Sequence, residues 1–101
     1  NLICLMAESA IKMVTESVEA YVRGDVKLAR AAISHDDAVD DYFEKVRSSL
    51  VTMITEHPDK AKNALDLLMI AKYFERIGDH AVNIAEWVVF SVTGFHKGES
   101  Q

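Results

Sequence analysis

Four carboxylates in the chain are spaced as metal ligands on two helices would be. Asp36 and Asp40 are four residues apart, and so are Glu75 and Asp79. Residues four apart on an α-helix lie on the same face, one turn from each other. Ligand sets made only of oxygen atoms suit hard cations such as Mg²⁺, Ca²⁺, Mn²⁺ or iron. The spacing therefore predicts a metal site if the two pairs lie on neighbouring helices that face each other.

The pattern of apolar residues predicts helices that can carry these pairs. Apolar and small side chains recur every three or four residues through most of the chain, and one Pro and four Gly leave long stretches uninterrupted. The sequence contains no alternating strand pattern and no glycine-rich phosphate loop. The predicted helices cover residues 2–22, about 26–56 and about 58–92.

The residues at the expected helix ends fit these boundaries. Gly24 is a C-terminal stop, and Asp25 is a good N-cap for the second helix. The segment 57–59, His-Pro-Asp, ends the second helix and begins the third, because proline suits a first turn. Gly94 closes the third helix. A fresh N-cap within residues 34–37, Ser-His-Asp-Asp, would instead break the second helix near residue 34 and is the alternative.

Three long helices joined by two turns predict an all-α fold, an antiparallel three-helix bundle. The bundle domain is predicted over residues 1–94, and the polar tail from Phe95 to Gln101 is expected to be frayed. Gly78 lies inside the third predicted helix, where glycine costs about 1 kcal/mol relative to alanine. Either the close approach of a neighbouring backbone or chance explains its presence there.

The predicted bundle brings the four carboxylates to one level. In an antiparallel hairpin that turns at residues 57–58, Asp36 falls beside Asp79 and Asp40 falls beside Glu75. Both pairs then lie about 30 Å from the turn, given the rise of the helix per residue. The prediction requires the second and third helices to fold back on each other in this register.

Four carboxylates on one patch repel each other, and something must offset that repulsion. Each pair of like charges near 4 Å costs about 1 kcal/mol in water. Lys72 and Arg76 are cationic neighbours, and a multivalent cation is the other remedy. The spacing alone leaves both remedies open. His80 directly follows Asp79 and points about 100° away from it, which makes it a poor co-ligand.

Three further residues are candidates for a supporting role around the metal. Arg76 is expected to tether the acidic side chains by a bidentate pair, with a surface salt bridge as the alternative. Asn83 is expected to order a metal-bound water, with a hydrogen bond on the helix surface as the alternative. Folding the first helix back at Gly24 places Glu8 near the level of Asp40, which makes Glu8 the third candidate.

The composition narrows the partners and the compartment. The 101-residue chain has a net charge of −5 and no basic run, which argues against nucleic-acid or anionic-membrane binding. The lone Cys4 cannot form an internal disulfide and, with no signal peptide, suits a reducing cytoplasm. The longest apolar run is too short to span a membrane, so no membrane insertion is expected. The chain begins with Asn1 rather than Met, and we expect it to be part of a longer protein.

Two segments of the chain resemble the PhoU family of phosphate-signalling regulators. They are AKYFERIGDHAVNIAEWVVFSVTG, residues 71–94, and GDVKLARAAISHDDAVDDYF, residues 24–43. The string R-I-G-D-H-x-x-N-I-A-E in the first segment is specific to the family. The resemblance implies a single PhoU repeat, most like the C-terminal of the two that such proteins carry, with long helices like those of spectrin repeats.

The resemblance also implies a role, partners and a metal. PhoU-like proteins repress the phosphate regulon when phosphate is plentiful, by contacting the ATPase of the phosphate ABC transporter and a sensor histidine kinase at the inner face of the membrane. The E/D-x-x-x-D motifs of the family bind iron, zinc or magnesium-type ions in some members. Here those motifs fall on Asp36 with Asp40 and on Glu75 with Asp79. The implied protein is a cytoplasmic, non-enzymatic regulator that we expect to form a homodimer.

Two other functions are compatible with a bundle of carboxylates. A metal-dependent enzyme such as an oxidase is disfavoured, because no ligand histidine lies one turn from a glutamate and no general base stands apart from the predicted ligands. A purely structural dimerisation bundle is the other. Trp87 and Phe90 are expected in the core or in a contact between repeats. A second apolar stripe on the third helix is expected to contact the first helix or to serve an interface for self-association; it comprises Ile70, Tyr73, Ile77, Ile84 and Val88.

Overall fold

The computed structural model describes residues 1–94, which form an antiparallel three-helix bundle, so the predicted all-α fold is confirmed. The bundle is elongated, with principal extents of 52 × 26 × 15 Å. The predicted tail, residues 95–101, lies outside the described residues. The elements are α1 (Leu2–Arg23), α2 (Val26–Ser34), α3 (Asp36–Glu56), a 3₁₀ turn (Pro58–Lys60) and α4 (Ala61–Thr93).

Both glycine stops act as the sequence predicts. Gly24 adopts a left-handed backbone with φ of 64°, and its N–H donates to the carbonyl oxygens of Ala20 and Tyr21 at the end of α1. Asp25 then caps α2, because its side chain accepts a hydrogen bond of 3.0 Å from the N–H of Leu28. Gly94 ends α4 in the same left-handed conformation, with φ of 84°. These caps fix where α1 ends, where α2 begins and where α4 ends.

The prediction of one continuous second helix was wrong, and the alternative break near residue 34 is what the structure shows. α2 ends at Ser34 and α3 begins at Asp36, with His35 between them in a right-handed helical conformation. Asp36 and Asp37 occupy the first turn of α3, where the positive end of the helix dipole favours carboxylates. Short polar side chains such as these suit a helix start better than a helix interior, which is why the break falls here.

The core along α4 is made of small residues. Glycine and alanine side chains let neighbouring helices approach closely, so the larger apolar residues of α1 and α3 fill the space around them. Trp87 and Tyr73, predicted to lie in the core or in a contact between repeats, are exposed, so they are not core residues of this bundle. The fully buried residues that α4 contributes are Ala64, Ala71, Ala81 and Ala85, with Gly78 and Val88 beside them.

Two clusters make up that core. The larger one joins α1, α3 and α4 around Met6, Met13 and Val39. The smaller one joins α2 to the C-terminal ends of α1 and α4, and its members are Ala20, Ala29, Ala32, Ala85, Val88 and Val89. α2 therefore closes one end of the bundle, and α3 lies along α4 with the predicted ligands between them.

Candidate functional site

The contact between α3 and α4 brings the start of α3 to the middle of α4. A Cβ atom placed on Gly78 would lie 3.6 Å from Oδ1 of Asp36 and 3.6 Å from Cγ1 of Val39. Asp36 therefore lies at the level of Gly78 and of Asp79, which follows it. This is the register that the turn at residues 57–58 predicts.

All four predicted carboxylates belong to one acidic patch, which we define as Asp36, Asp40, Glu75 and Asp79. Partial burial raises the pKa of the Asp40 carboxyl above its ordinary value of 3.8, and the negative charges of Asp36, Glu75 and Asp79 raise it further. Asp37 adds a smaller effect in the same direction on the pKa of Asp40. Asp36, Glu75 and Asp79 therefore lie close enough to Asp40 for their charges to disfavour its ionisation.

Lys72 is the cation that the structure places against the acidic patch. Its Nζ lies 2.6 Å from Oε1 of Glu75, in an ion pair one turn long on α4. The same Nζ lies 5.2 Å from the centre of the Phe43 ring on α3, a cation–π distance. Lys72 therefore bridges α4 to α3 beside the carboxylates and offsets part of their charge. One of the two remedies that the sequence suggests is thus present.

The three residues predicted to support a metal have other surroundings. The guanidinium carbon of Arg76 lies 5.7 Å from the centre of the Tyr73 ring, so the contact found for Arg76 is with an aromatic face. Asn83 lines a groove between α1 and α4. Glu8 is exposed on α1 and is not among the groups that raise the pKa of Asp40. The contacts found for Arg76 and Asn83 are thus with Tyr73 and with the groove, and Glu8 does not contribute to the raised pKa of Asp40.

The donor set of the acidic patch fits a hard cation, but its side chains are not pre-arranged around one. Within residues 1–94, no group of three or more His, Cys, Asp or Glu side chains is placed to hold a metal ion. Glu75 is paired with Lys72, so a cation would have to displace that ammonium group and draw the carboxylates inward. The metal centre therefore stays a prediction that rests on charge and register.

A polar contact that the sequence analysis missed lies at the break between α2 and α3. Nδ1 of His35 is 2.7 Å from Oε1 of Glu16 on α1, and the two side chains are 39% and 17% exposed. The contact fixes the break against α1, one residue before the acidic patch begins. The signal available in the sequence was the polar run at residues 34–37, which favours a helix start.

An apolar groove of about 460 Å³ lies between α1 and α4, away from the acidic patch. Its lining is almost entirely hydrocarbon, and Asn83 is the polar side chain at its edge. The sequence predicts an apolar stripe on α4 but does not show that it stays uncovered. No helix among residues 1–94 has an apolar stretch long enough to cross a membrane. The residues lining the groove are Val18, Tyr21, Asn83, Ile84 and Trp87.

Comparison with known proteins assigns the chain to a family. The model of the PhoU domain matches residues 3–88. A phosphate-specific transport system accessory protein PhoU homolog 1 from Thermotoga maritima is 38% identical over 94 residues, which are 93% of this chain and 40% of that protein. PhoU homologs from Zymomonas mobilis and Pseudomonas aeruginosa are 38% and 39% identical, over 89% and 82% of this chain and 38% and 34% of their own lengths.

These relatives bear the name of accessory proteins of a phosphate-specific transport system. The chain spans about two fifths of their length or less. No solved structure matches the chain. The family match covers the stretch from α1 through most of α4, including the four carboxylates of the acidic patch. The chain therefore belongs to the PhoU family.

Proposed function

We propose that this protein is a negative regulator of phosphate uptake and of the phosphate regulon, and that it works by contact with other proteins rather than by catalysis. The observation that carries the proposal is the PhoU match over residues 3–88, together with relatives named as accessory proteins of phosphate transport. The fold agrees with this role, because a rod of helices offers long faces for contact. The proposed compartment is the cytoplasm.

The proposed partners are the ATPase of the phosphate ABC transporter and a sensor histidine kinase. To test this, the chain is immobilised, and binding of the purified ATPase and of the kinase's cytoplasmic part is measured by interferometry, with the full-length Thermotoga maritima relative as the positive control. In parallel, the chain is expressed in a strain that lacks its PhoU protein, and alkaline phosphatase is assayed in high phosphate. Binding with restored repression supports the role. Absence of both, while the full-length relative shows both, would refute it for this chain.

We further propose that the acidic patch binds a divalent cation. Asp36, Asp40, Glu75 and Asp79 would hold it, and an ion bound there supplies positive charge that offsets their mutual repulsion. The raised pKa of Asp40 supports the proposal, because the negative charges of Asp36, Glu75 and Asp79 are among its causes. The lack of a pre-arranged ligand set among residues 1–94 leads us to expect a site that forms as the cation binds.

The metal proposal is tested by elemental analysis of protein purified without chelator and by calorimetric titration with MnCl₂. The variant that combines Asp40→Ala with Asp79→Ala is expected to lose bound metal while keeping its helicity. The matched control combines Asp41→Ala with Asp66→Ala, which removes two exposed carboxylates outside the patch. Equal and negligible metal in the wild type and both variants would end the proposal. A metal-loaded sample with redox or hydrolase activity would instead favour the carboxylate-bundle enzyme.

A further inference from the structure

Lys72 and Phe43 lie opposite each other at one end of the acidic patch. The Nζ atom of Lys72 is 5.2 Å from the centre of the Phe43 ring, so α4 and α3 meet at this level. Lys72 precedes Glu75 by three residues on α4, and Phe43 follows Asp40 by three residues on α3. Three residues of an α-helix rise about 4.5 Å. The ammonium group of Lys72 therefore lies within one helical turn of the level of Asp40 and Glu75.

The two ends of the acidic patch are stabilised by different positive groups. Asp36 lies in the first turn of α3, where the positive end of the helix dipole favours a carboxylate. Glu75 lies in the middle of α4, and a helix dipole has little effect beyond the first and last turns. The Oε1 atom of Glu75 is instead 2.6 Å from Nζ of Lys72. Lys72 is therefore the counter-ion of Glu75.

This ion pair joins a largely buried carboxylate to an accessible ammonium group. The side chain of Glu75 is 19% exposed, and that of Lys72 is 51% exposed. Leaving Glu75 without a positive neighbour is unfavourable, because a poorly solvated carboxylate lacks the water that would stabilise its charge. Lysine, in contrast, regains its hydration easily, since its flexible stem carries the ammonium group into water. Lys72 can therefore leave Glu75, provided that another cation takes its place.

A monovalent ion gains little by replacing Lys72. It brings the same charge as the ammonium group and must give up its translational freedom, whereas Lys72 is already tethered beside Glu75. A divalent cation brings twice that charge, and the other three carboxylates of the acidic patch attract it as well. Displacement of Lys72 is therefore favourable for cations that carry more than one charge.

We propose that Lys72 is an internal counter-ion that makes the acidic patch selective for multivalent cations: it occupies Glu75 against monovalent ions, and a divalent ion must displace it. The inference rests on the proposed cation site and adds the residue that regulates its affinity and selectivity. It accounts for the absence, within residues 1–94, of three carboxylates gathered around one point, because the ammonium group holds Glu75 on the side of Lys72.

The ring of Phe43 keeps a contact for the ammonium group after its displacement. Phe43 packs against the larger core cluster, so its ring has a fixed position on α3. An aromatic face attracts an ammonium group within about 6 Å of its centre, and Lys72 already lies inside that distance. Lys72 therefore releases Glu75 by changing its side-chain rotamer, while the backbones of α3 and α4 stay in place.

The test measures binding of Mn²⁺ to the full chain by calorimetric titration with MnCl₂, with free Mn²⁺ followed by electron paramagnetic resonance. Lys72→Met keeps an unbranched side chain and removes the charge, and we expect it to bind Mn²⁺ at least about tenfold more tightly, because no cation competes for Glu75. Lys72→Arg keeps the charge and should bind Mn²⁺ no more tightly than the wild type.

Selectivity is measured by repeating the titrations in KCl and in tetramethylammonium chloride at equal ionic strength. K⁺ should compete with Mn²⁺ in Lys72→Met, where Glu75 has lost its counter-ion, and should compete less in the wild type. The bulky tetramethylammonium ion corrects for salt screening, since it cannot enter between the carboxylates.

Lys45→Met is the matched control for the change in net charge. Lys45 is exposed on α3, lies 5.9 Å from the centre of the Tyr42 ring and makes none of the ion pairs found among residues 1–94. Its loss should change the affinity for Mn²⁺ by less than about twofold, because salt screens exposed charges. In a Glu75→Gln background, Lys72→Met should have little effect, since the proposed competition acts through Glu75.

The possible failures separate the role of Lys72 from the cation site. Equal affinity for Mn²⁺ in the wild type and Lys72→Met would overturn the inference and leave the cation site in place. Equal tightening by Lys45→Met, or equal competition by K⁺ in the wild type and Lys72→Met, would do the same. If neither the wild type nor any Lys72 variant binds Mn²⁺, both the cation site and the inference fail. Circular dichroism checks that each variant keeps its helices, and Lys72→Gln replaces Lys72→Met if the latter loses them.

Discussion

α4 has two solvent-facing borders, and one is apolar whereas the other is acidic. Along α1 it presents the apolar groove lined by Val18, Tyr21, Ile84 and Trp87, whose large side chains are exposed to water. Along α3 it presents the acidic patch, where like charges crowd together and Lys72 offsets part of them. Covering the first border with another apolar surface is expected to lower the free energy of the protein. Binding of positive charge at the second border is expected to do the same.

The same packing permits both borders. The buried face of α4 consists mainly of alanine and glycine, with Val88 and Val89 near its end, while Tyr73 and Trp87 stay exposed. The comparison shows that the close contacts of this helix are made by small residues and that several of its large apolar side chains remain on the flanks. Substitutions in the interior and on each flank should therefore change the free energy of unfolding by different amounts and in different directions.

The largest effect is expected from enlarging the interior. Ala85 is fully buried in the cluster that joins α2 to α1 and α4, so Ala85→Leu forces the helices apart. We expect the free energy of unfolding to fall by about 1–3 kcal/mol. The same change at the exposed Ala38 is the control and should cost little. Urea unfolding followed by circular dichroism measures both. Equal losses would mean that the interior of α4 is not closely packed.

A smaller loss is expected at the border between α1 and the break before α3. Glu16→Ala removes the contact with His35, and we expect a loss of about 1 kcal/mol, the worth of a partly buried hydrogen bond. Glu19→Ala is the control, because Glu19 makes an exposed ion pair with Arg23 at the same 2.7 Å distance. Exposed pairs contribute about 0.3–0.5 kcal/mol. Thermal unfolding of both variants should rank them in that order, and the reverse order would contradict the assigned role of His35.

The same substitution at two glycines is expected to act in opposite directions. Gly78→Ala adds a methyl group at ordinary contact distance, 3.6–3.7 Å, from side chains of α1 and α3. The gain in helix propensity should then raise stability by up to about 1 kcal/mol. Gly24→Ala forces an alanine into a left-handed conformation at φ of +64° and should lower stability by about 1 kcal/mol. Destabilisation by Gly78→Ala would show that α4 needs glycine for a closer approach than the structure has.

The smallest effect is expected at the acidic patch. The folded-state pKa of Asp40 is raised above 3.8, so the folded protein holds this proton more tightly than the unfolded chain does. That contribution to stability is present below pH 3.8 and is lost as the pH rises through the raised pKa. Asp40→Asn should therefore stabilise the protein at pH 7, by a few tenths of a kcal/mol because the site is partly solvated.

The pH profile supplies the check on this prediction. The gain from Asp40→Asn should vanish at pH 3, where the wild-type carboxyl is already protonated. Asp41→Asn is the control, because Asp41 is exposed and does not contribute to the raised pKa of Asp40. If the gain in stability from Asp40→Asn persisted unchanged at pH 3, charge repulsion could not be its cause.

The sequence predicts the register of the acidic patch because its causes are local. Gly24 and Pro58 mark the turns, and the rise of an α-helix then sets which residues share a level. The sequence cannot predict the orientation of the side chains at that level. Lys72 pairs with Glu75 and lies over the ring of Phe43, a choice among rotamers that spacing does not determine.

The division of α4 into interior and flank is a different case. Its sequence is apolar on more than one face, and the large side chains of Tyr73 and Trp87 favoured either the core or a contact between repeats. The structure buries the alanines instead, because close helix contacts favour small side chains. The sequence predicts the break at His35 only as an alternative to a continuous helix, since a polar run at residues 34–37 suits either a helix start or an exposed helical turn.

The small residues that line α4 have a consequence for the temperature dependence of folding. Alanine and glycine side chains withdraw little hydrocarbon from water, and the heat capacity of unfolding grows with the hydrocarbon area that unfolding exposes. The heat-capacity change on unfolding should therefore fall below the roughly 1.2–1.5 kcal/mol/K typical of a domain of about 100 residues. The protein's free energy of folding would then change only slowly between cold and warm conditions.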